Sequence, residues 1–343
     1  MKIASAALAL ALAACPALAQ NVKITPIGSH PGELCANDRA IVFEDPTGVR
    51  FLYDPAHNVT SGDDPRLGII HMVLLTHMHG DHVGDLKLKA PGAGTCANSE
   101  RVPAPNSTTA EVVAAKNAAL VTTRAMGGFV ANKVQAIRGG GGSGGKPIGF
   151  CPQTGGATTV PVATVCTSQT DLGGVFVAKT EGASQAVEIS IVYASHVNNA
   201  PPALLSQAQQ DTLKADGGIV EYGPATGFVV RFTNGLTVYL TGDTGIHSEM
   251  KTVINEVHKA NLAVLNLGVN PGIFLSGAHA MNQLVRPASI ILTHPNEPVT
   301  EGGKLRPASQ TARLIKQLKA PAHLAISGRT MEFDGSGKCA AGC

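Results

Sequence analysis

Three histidines and one aspartate fall within six residues in His77-Met78-His79-Gly80-Asp81-His82. Imidazole nitrogens and carboxylate oxygens are the ligands that zinc takes, and iron or manganese accept the same set. His77 and His79 alternate, so they can share one ion. Asp81 and His82 lie a step further and can reach a second. A solvated, His-rich loop is the ordinary reading of a lone His-x-His pair, and burying so many polar groups is costly without partners. That reading leaves three later residues unexplained. His196, Asp243 and His294 each come directly after a stretch that patterns as a strand.

The elements that must carry these residues follow from hydrophobic periodicity. Residues 69–75 form an almost unbroken apolar run, suited to a strand buried on both faces, and end just before Thr76-His77. Strands at 189–194, 238–241 and 290–293 lead into His196, Asp243 and His294. Shorter strands are expected at 22–26, 40–44 and 50–53, divided by Gly, Pro and Asp turn signals. Strands 227–232 and 236–241 make a hairpin across Thr233-Asn234-Gly235, and further strands fall at 262–267 and 323–326. Helical patterns occupy 247–259, 278–284 and 309–318. Such strand–helix alternation indicates a layered α/β fold, whose active sites gather at the carboxyl ends of strands. Residues 90–183 differ in character. They are rich in Gly, Ser, Thr and Pro, with an Ala-rich portion at 108–126 suited to a helix and a glycine run at 139–145. They read as an insertion over the core. Lys146 after the glycine run is not followed by Ser or Thr, so a phosphate-binding loop is not expected there.

Composition bounds the function classes. The chain has 343 residues, 44% of them apolar, which excludes a wholly disordered protein. Lys and Arg number 26 against 24 Asp and Glu, a balance that makes no general case for nucleic-acid binding. Trp is absent and aromatics reach only 4%, so an aromatic stacking platform is not expected either. Residues 1–19 have the order of a secretory signal peptide: Lys2, an apolar run over 3–14, then Ala17-Leu18-Ala19. The run is too short to span a bilayer, and no later stretch offers a span. Leu12-Ala13-Ala14-Cys15 also resembles a lipobox, but Pro16 fits better ahead of a cleavage site than as a mature second residue. The expectation is export to the periplasm or medium. Removing the leader leaves Cys35, Cys96, Cys151, Cys166, Cys339 and Cys343, an even set that favours disulfides with all pairings open. The sequence carries no signal of oligomeric state.

The motif His77-x-His79-x-Asp81-His82, followed in order by His196, Asp243 and His294, resembles the metallo-β-lactamase superfamily. Residues 223–232, 239–244 and 290–294 look like the branch of metal-dependent hydrolases that includes ascorbate-6-phosphate lactonase. The resemblance extends from about residue 23 to 331, apart from 90–183. It implies a four-layer αββα sandwich with two divalent ions at one edge of its sheets, zinc foremost, with Mn2+ or Fe2+ as alternatives. On this chain it implies His77, His79 and His196 on the first ion, Asp81, His82 and His294 on the second, and Asp243 bridging. A hydroxide between the ions would attack the substrate, with Asp81 steering it as the catalytic carboxylate.

The expected substrate is a small molecule, a lactone or simple ester. A phosphodiester or β-lactam is the alternative on the same fold, and a non-catalytic metal-binding protein is the alternative of a different class. Redox members of flavo-diiron type carry Glu where this chain has His79, which argues against them. Where the branch often has an acidic residue ahead of the 278–284 helix, this chain offers His279, a candidate substrate-binding residue. Asp54 either orients a ligand imidazole or turns the chain before Pro55. His71 reads as a packed core residue, and His30, His57, His247, His258 and His323 as ordinary surface or helix positions.

Overall fold

Side chains alternate along the central strands, and that alternation sorts the apolar residues into three separate cores. The computed structural model describes residues 20–140, 147–268 and 273–343. In strand Arg50–Tyr53, Phe51 and Tyr53 face one core while Leu52 faces another. In Met72–Leu74, Met72 and Leu74 share the first core and Val73 the second. Strand Leu262–Asn266 repeats the pattern, with Leu262 and Val264 on one side and Ala263 and Leu265 on the other. Successive residues of a strand point to opposite faces, so each strand seals two layers at once.

Most of the described strands form two eight-stranded sheets, with two further two-stranded ribbons beside them. The first runs in the order Cys339–Ala341, Met331–Phe333, Val22–Ile27, Ala40–Glu44, Arg50–Tyr53, Met72–Leu74, Ala119–Val121, Cys166–Thr167. The second runs Ala322–Leu324, Ser289–Thr293, Leu262–Asn266, Thr237–Leu240, Thr226–Arg231, Val187–Tyr193, Val175–Thr180, Thr158–Val160. Their facing sides enclose the largest core, where Phe43 stacks on Phe51 with ring centres 4.9 Å apart and Phe232 lies against both. Helices Thr108–Lys116 and Arg124–Gln135 cover the outer face of the first sheet. The turns Met250–Asn255 and Ala280–Val285 and helix Gln310–Ile315 cover the second. The layers are therefore helix, sheet, sheet, helix, which is the expected αββα sandwich.

Differences from the sequence reading have local causes. Residues 69–75 shorten to Met72–Leu74, because Ile69 is turned out to solvent, 66% exposed. The Ala-rich 108–126 portion is not one helix. Its first helix ends at Asn117, in a left-handed conformation, and the chain then enters strand Ala119–Val121. Residues 247–259 hold a single helical stretch, Met250–Asn255. The 90–183 stretch is woven into the sandwich, supplying Ala119–Val121 and Cys166–Thr167 to one sheet and Thr158–Val160 and Val175–Thr180 to the other. The proposed leader and most of the glycine run lie outside the described residues. All six remaining cysteines pair, as Cys35–Cys96, Cys151–Cys166 and Cys339–Cys343. Among the described residues no helix is long and apolar enough to cross a membrane.

Candidate metal centre

Strands Arg50–Tyr53, Met72–Leu74 and Ala119–Val121 are mutually parallel in one sheet, as are Thr237–Leu240, Leu262–Asn266 and Ser289–Thr293 in the other. Their carboxyl ends meet at one edge of the sandwich, and the polar motifs leave from those ends. Two contacts tie the sheets together there. Thr226 donates both its N–H and its hydroxyl to the Thr76 carbonyl, at 3.0 and 2.9 Å, and the Tyr53 hydroxyl accepts the Gly242 N–H at 3.0 Å.

After Met72–Leu74 the chain runs through Thr76 and His77 into one wide helical turn, Gly80–Gly84, closed by the Asp85 N–H on the Gly80 carbonyl. Wide turns of this kind recur at functional sites because they re-aim side chains that a regular helix would spread apart. The Met78 N–H is held at 2.7 Å by the Asn198 carboxamide, which in turn donates to the Gly223 carbonyl. The turn thereby directs His77, His79, Asp81 and His82 toward His196, Asp243 and His294.

The seven residues gather in three overlapping groups: His77, His79 and His196; His77, His82 and Asp243; Asp81, His82 and His294. His79 Nδ1 lies 3.2 Å from His196 Nε2. Asp243 stands between the groups, with Oδ1 3.3 Å from His82 Nε2 and Oδ2 3.5 Å from His294 Nε2 and 4.0 Å from His196 Nε2. His294 Nε2 is also 3.6 Å from Asp81 Oδ2. Donors on a tetrahedral zinc at 2.0–2.2 Å stand roughly 3.3–3.6 Å apart, so this spacing suits a shared ion. The buried Nε2 of His77 has no hydrogen-bond partner, and those of His82 and His294 make no aligned hydrogen bond, meeting only the carboxylates of Asp243 and, for His294, Asp81. Buried polar atoms rarely go unpaired, and a cation satisfies all three.

The atoms behind these nitrogens set which one is free. Thr76 donates its hydroxyl to Asp54 Oδ2 at 2.7 Å and can then accept from His77 Nδ1, 3.1 Å away. His82 Nδ1 donates to the same Asp54 carboxylate at 2.7 Å, and His79 Nε2 donates to Asn199 Oδ1 at 2.9 Å. Each bond fixes a proton on the rear nitrogen and leaves the forward nitrogen as a ligand, the usual arrangement behind metal-binding imidazoles. Of the two readings of Asp54, the orienting one is thus the observed one. His294 sits at φ 52°, a conformation uncommon for a non-glycine residue and characteristic of constrained sites.

Charge in the cluster is strongly shifted. Burial alone would raise Asp243, but His294 and His82 hold it well below the usual carboxylate range. Burial would also raise Asp81, which Arg39, His82 and His294 hold far down. Burial and Arg39 act to lower His82, yet Asp243 and Asp54 outweigh them and lift it to about 9. Burial among neighbouring imidazoles pushes His77 far down. Perturbed groups clustered at one strand edge mark a functional site.

Other sequence expectations fare differently. His71 is buried and accepts the Arg50 N–H at 3.1 Å, as a packed core residue should. His57 is no surface residue; it is nearly enclosed and pairs with Asp85 at 2.7 Å behind the wide turn. His279 is exposed at the end of helix Ile273–His279 and belongs to none of the three groups. Arg39 went unnoticed in the sequence. Its side chain is fully buried and Nη2 reaches Asp81 Oδ2 at 2.8 Å. Asn-Asp-Arg reads locally as an ordinary turn, and nothing in that triplet reveals what the turn is folded against.

Sandwich and strand-edge cluster together define a metallo-β-lactamase fold. No family model matches the chain. In sequence it is similar to curated proteins described as UPF0173 metal-dependent hydrolases. One from Chloroflexus aurantiacus is 42% identical over 57 residues, 17% of this chain and 23% of that protein. One from Roseiflexus sp. is 32% identical over 97 residues, 27% of this chain and 38% of that protein. The chain matches roughly a quarter to two-fifths of these two relatives' lengths. Among solved structures, Igni18, a metallo hydrolase from the archaeon Ignicoccus hospitalis, superposes with a TM-score of 0.54 at 18% identity, covering 92% of this chain and 99% of that one.

Proposed function

We propose that the protein is an exported, binuclear metal-dependent hydrolase that opens a lactone or small ester. The observation that carries the reading is the set of buried imidazole nitrogens gathered around Asp243, spaced as ligands on shared ions. The name borne by the sequence relatives, metal-dependent hydrolase, supports the same reaction class. His77, His79 and His196 would hold one ion, Asp81, His82 and His294 the other, and Asp243 both. Held by these residues, divalent ions would supply a Lewis acid and lower the pKa of bound water toward ~7.

The protein's own groups do the rest. Asp54, Thr76 and Asn199 hold a proton on the rear nitrogens of His82, His77 and His79, so the forward nitrogen of each is the one offered to an ion. Asp81, whose side chain is 36% exposed, is the carboxylate of the cluster open to solvent and would steer the attacking water. Arg39 holds that carboxylate in place.

The test is hydrolysis by metal-loaded protein of acyl-homoserine lactones, γ- and δ-lactones, a penicillin, a cephalosporin and a phosphodiester, with a chelated control. Lactone turnover lost on chelation and restored by zinc or manganese is expected. Turnover confined to a β-lactam or the phosphodiester overturns the substrate class, and no turnover with full metal occupancy favours a non-catalytic metal protein. A phosphodiester is the second reading, because two divalent ions set against Asp81 and Asp243 would leave the site net positive and suited to an anion. Export is tested by N-terminal sequencing of the secreted protein, expected to begin at Gln20. An N-terminus at Met1 or a lipid on Cys15 overturns it.

A further inference from the structure

Three of the cluster histidines, His77, His79 and His82, have an acceptor behind them; His294 has a donor. Its Nδ1 lies 3.4 Å from Arg39 Nη2. A guanidinium donates and cannot accept, so the neutral His294 that satisfies this contact carries its proton on Nε2, the nitrogen that faces Asp243 and Asp81. Ligation through Nε2 requires the opposite tautomer, with an Nδ1–H aimed at a cation. The same Nη2 pairs with Asp81 at 2.8 Å and so competes for a second ligand of that half of the cluster. A third effect adds to these, since a fixed positive charge beside an incoming divalent cation repels it. His77, His79 and His196 have no such neighbour among the polar contacts of the described residues.

The segment that carries Arg39 is pinned to the end of strand Ser289–Thr293, and the side chain itself is fully buried. The Asp38 carbonyl accepts from the His294 N–H at 2.7 Å and the Thr293 hydroxyl at 3.0 Å, while Asn37 donates to the Pro295 carbonyl at 2.7 Å. The Cys35–Cys96 disulfide anchors the start of the same segment, and the Asp38 carboxylate is held by Ser29, Cys35 and Asn58. The guanidinium is thus built into the site, with Nη1 buried and unpartnered.

We propose that Arg39 is a positioning residue that makes the two metal sites unequal: the His77/His79/His196 site binds a divalent ion tightly, and the Asp81/His82/His294 site binds one weakly. The proposal rests on these residues being metal ligands, as the proposed function holds.

The experiment titrates metal-free protein with Co2+ and with Zn2+ against a chromophoric chelator, following both stoichiometry and the cobalt spectrum. Wild type should take one ion at least tenfold more tightly than the second, the scale on which groups behind a ligand change metal affinity. Arg39→Gln should tighten the second step about tenfold or more and leave the first unchanged, whereas a residue that merely supports the fold would loosen both. His294→Ala should abolish the weak step alone, and His196→Ala the tight one. Should Arg39→Gln fail to fold by its melting curve, Arg39→Met takes its place and must likewise tighten the second step, while the histidine pair shows which step belongs to which site. Two equal steps in wild type, a weakened second step in Arg39→Gln, or loss of the tight step in His294→Ala overturns the proposal. Failure to bind any metal overturns the proposed function as well, so the two are told apart.

Discussion

The Asp54 carboxylate accepts the Nδ1–H of His82 at 2.7 Å, and neither side chain is exposed at all. That one bond links the end of strand Arg50–Tyr53 to the wide turn Gly80–Gly84 and turns His82 Nε2 toward Asp243. Asp54 also accepts the Thr76 N–H and hydroxyl, so it organises the motif from behind.

Asp54→Asn should therefore fold yet bind metal more weakly. Asn tolerates the positive φ of 38° at this position and preserves the volume. Its neutral amide is a poorer acceptor for the three donors, and losing a group behind a ligand typically costs 10–100-fold in metal affinity. Chelator competition measures the loss, with circular dichroism as the folding control. Unchanged affinity would remove Asp54 from the site.

Metal uptake should release a proton from His82. Burial and Arg39 act to lower this imidazole, but Asp243 and Asp54 lift it to about 9 in the metal-free chain. Between the ordinary imidazole value and 9, the folded chain holds a proton that the unfolded chain has lost. Metal-free stability should then fall as pH rises through that window, and be fully present below it. A cation at Nε2 displaces the proton, so about one should appear per chain from His82 at about pH 7.5. Calorimetry in buffers of different ionisation enthalpy counts it, and zero net release would contradict the raised value.

How much was legible follows from how local each feature is. His77, His79, Asp81 and His82 are neighbours in sequence, and His196, Asp243 and His294 each follow closely on an apolar strand, so residue spacing and strand patterning together point to their positions. Asp54 was visible as one of two readings, because a turn before Pro55 serves either. Arg39 and Asn199 were not visible. Arg39 meets His294 across 255 positions through a loop pinned to the end of another strand, and Asn199 meets His79 across 120. No window of sequence contains both partners. The strands within 90–183 were missed for a different reason. They are two to six residues long and set among Gly, Ser and Thr, so their burial comes from neighbouring strands rather than from a pattern of their own.

Gly268 should resist substitution because of His294. A Cβ built there would overlap the His294 ring at Nδ1 and Cε1, and the ring is already held at positive φ. Gly268→Ala must push the imidazole from the Asp81 and Asp243 side of the site. Overpacking of this kind costs about 1–3 kcal/mol, and the expected result is a lower melting temperature together with loss of the metal held by His294. Gly128→Ala is the control, since nothing lies within 4 Å of a Cβ there and it sits inside helix Arg124–Gln135. Equal behaviour of the two variants would mean that His294 has room to move.

Asp243 should be the most damaging single position. It is buried, it is braced by the Asn266 carboxamide at 3.0 Å, and it lies within 4.0 Å of His82, His196 and His294, which belong to both halves of the cluster. Burial opposes its charge, yet His294 and His82 keep it ionised, so it enters the folded state as the counter-charge of the raised His82. Asp243→Ala removes a ligand from each proposed ion at once and leaves a cationic imidazole enclosed without its partner. Breaking a buried pair in this way costs about 3–5 kcal/mol. The metal-free variant should melt well below wild type, and the metal-loaded variant should retain neither two ions nor measurable hydrolysis. His196→Ala provides the comparison, because it touches one half of the cluster and should lose one ion. Elemental analysis of gel-filtered protein reads both variants directly. Two retained equivalents in Asp243→Ala, with melting unchanged, would show that the carboxylate joins neither ion and that the cluster is assembled around some other residue.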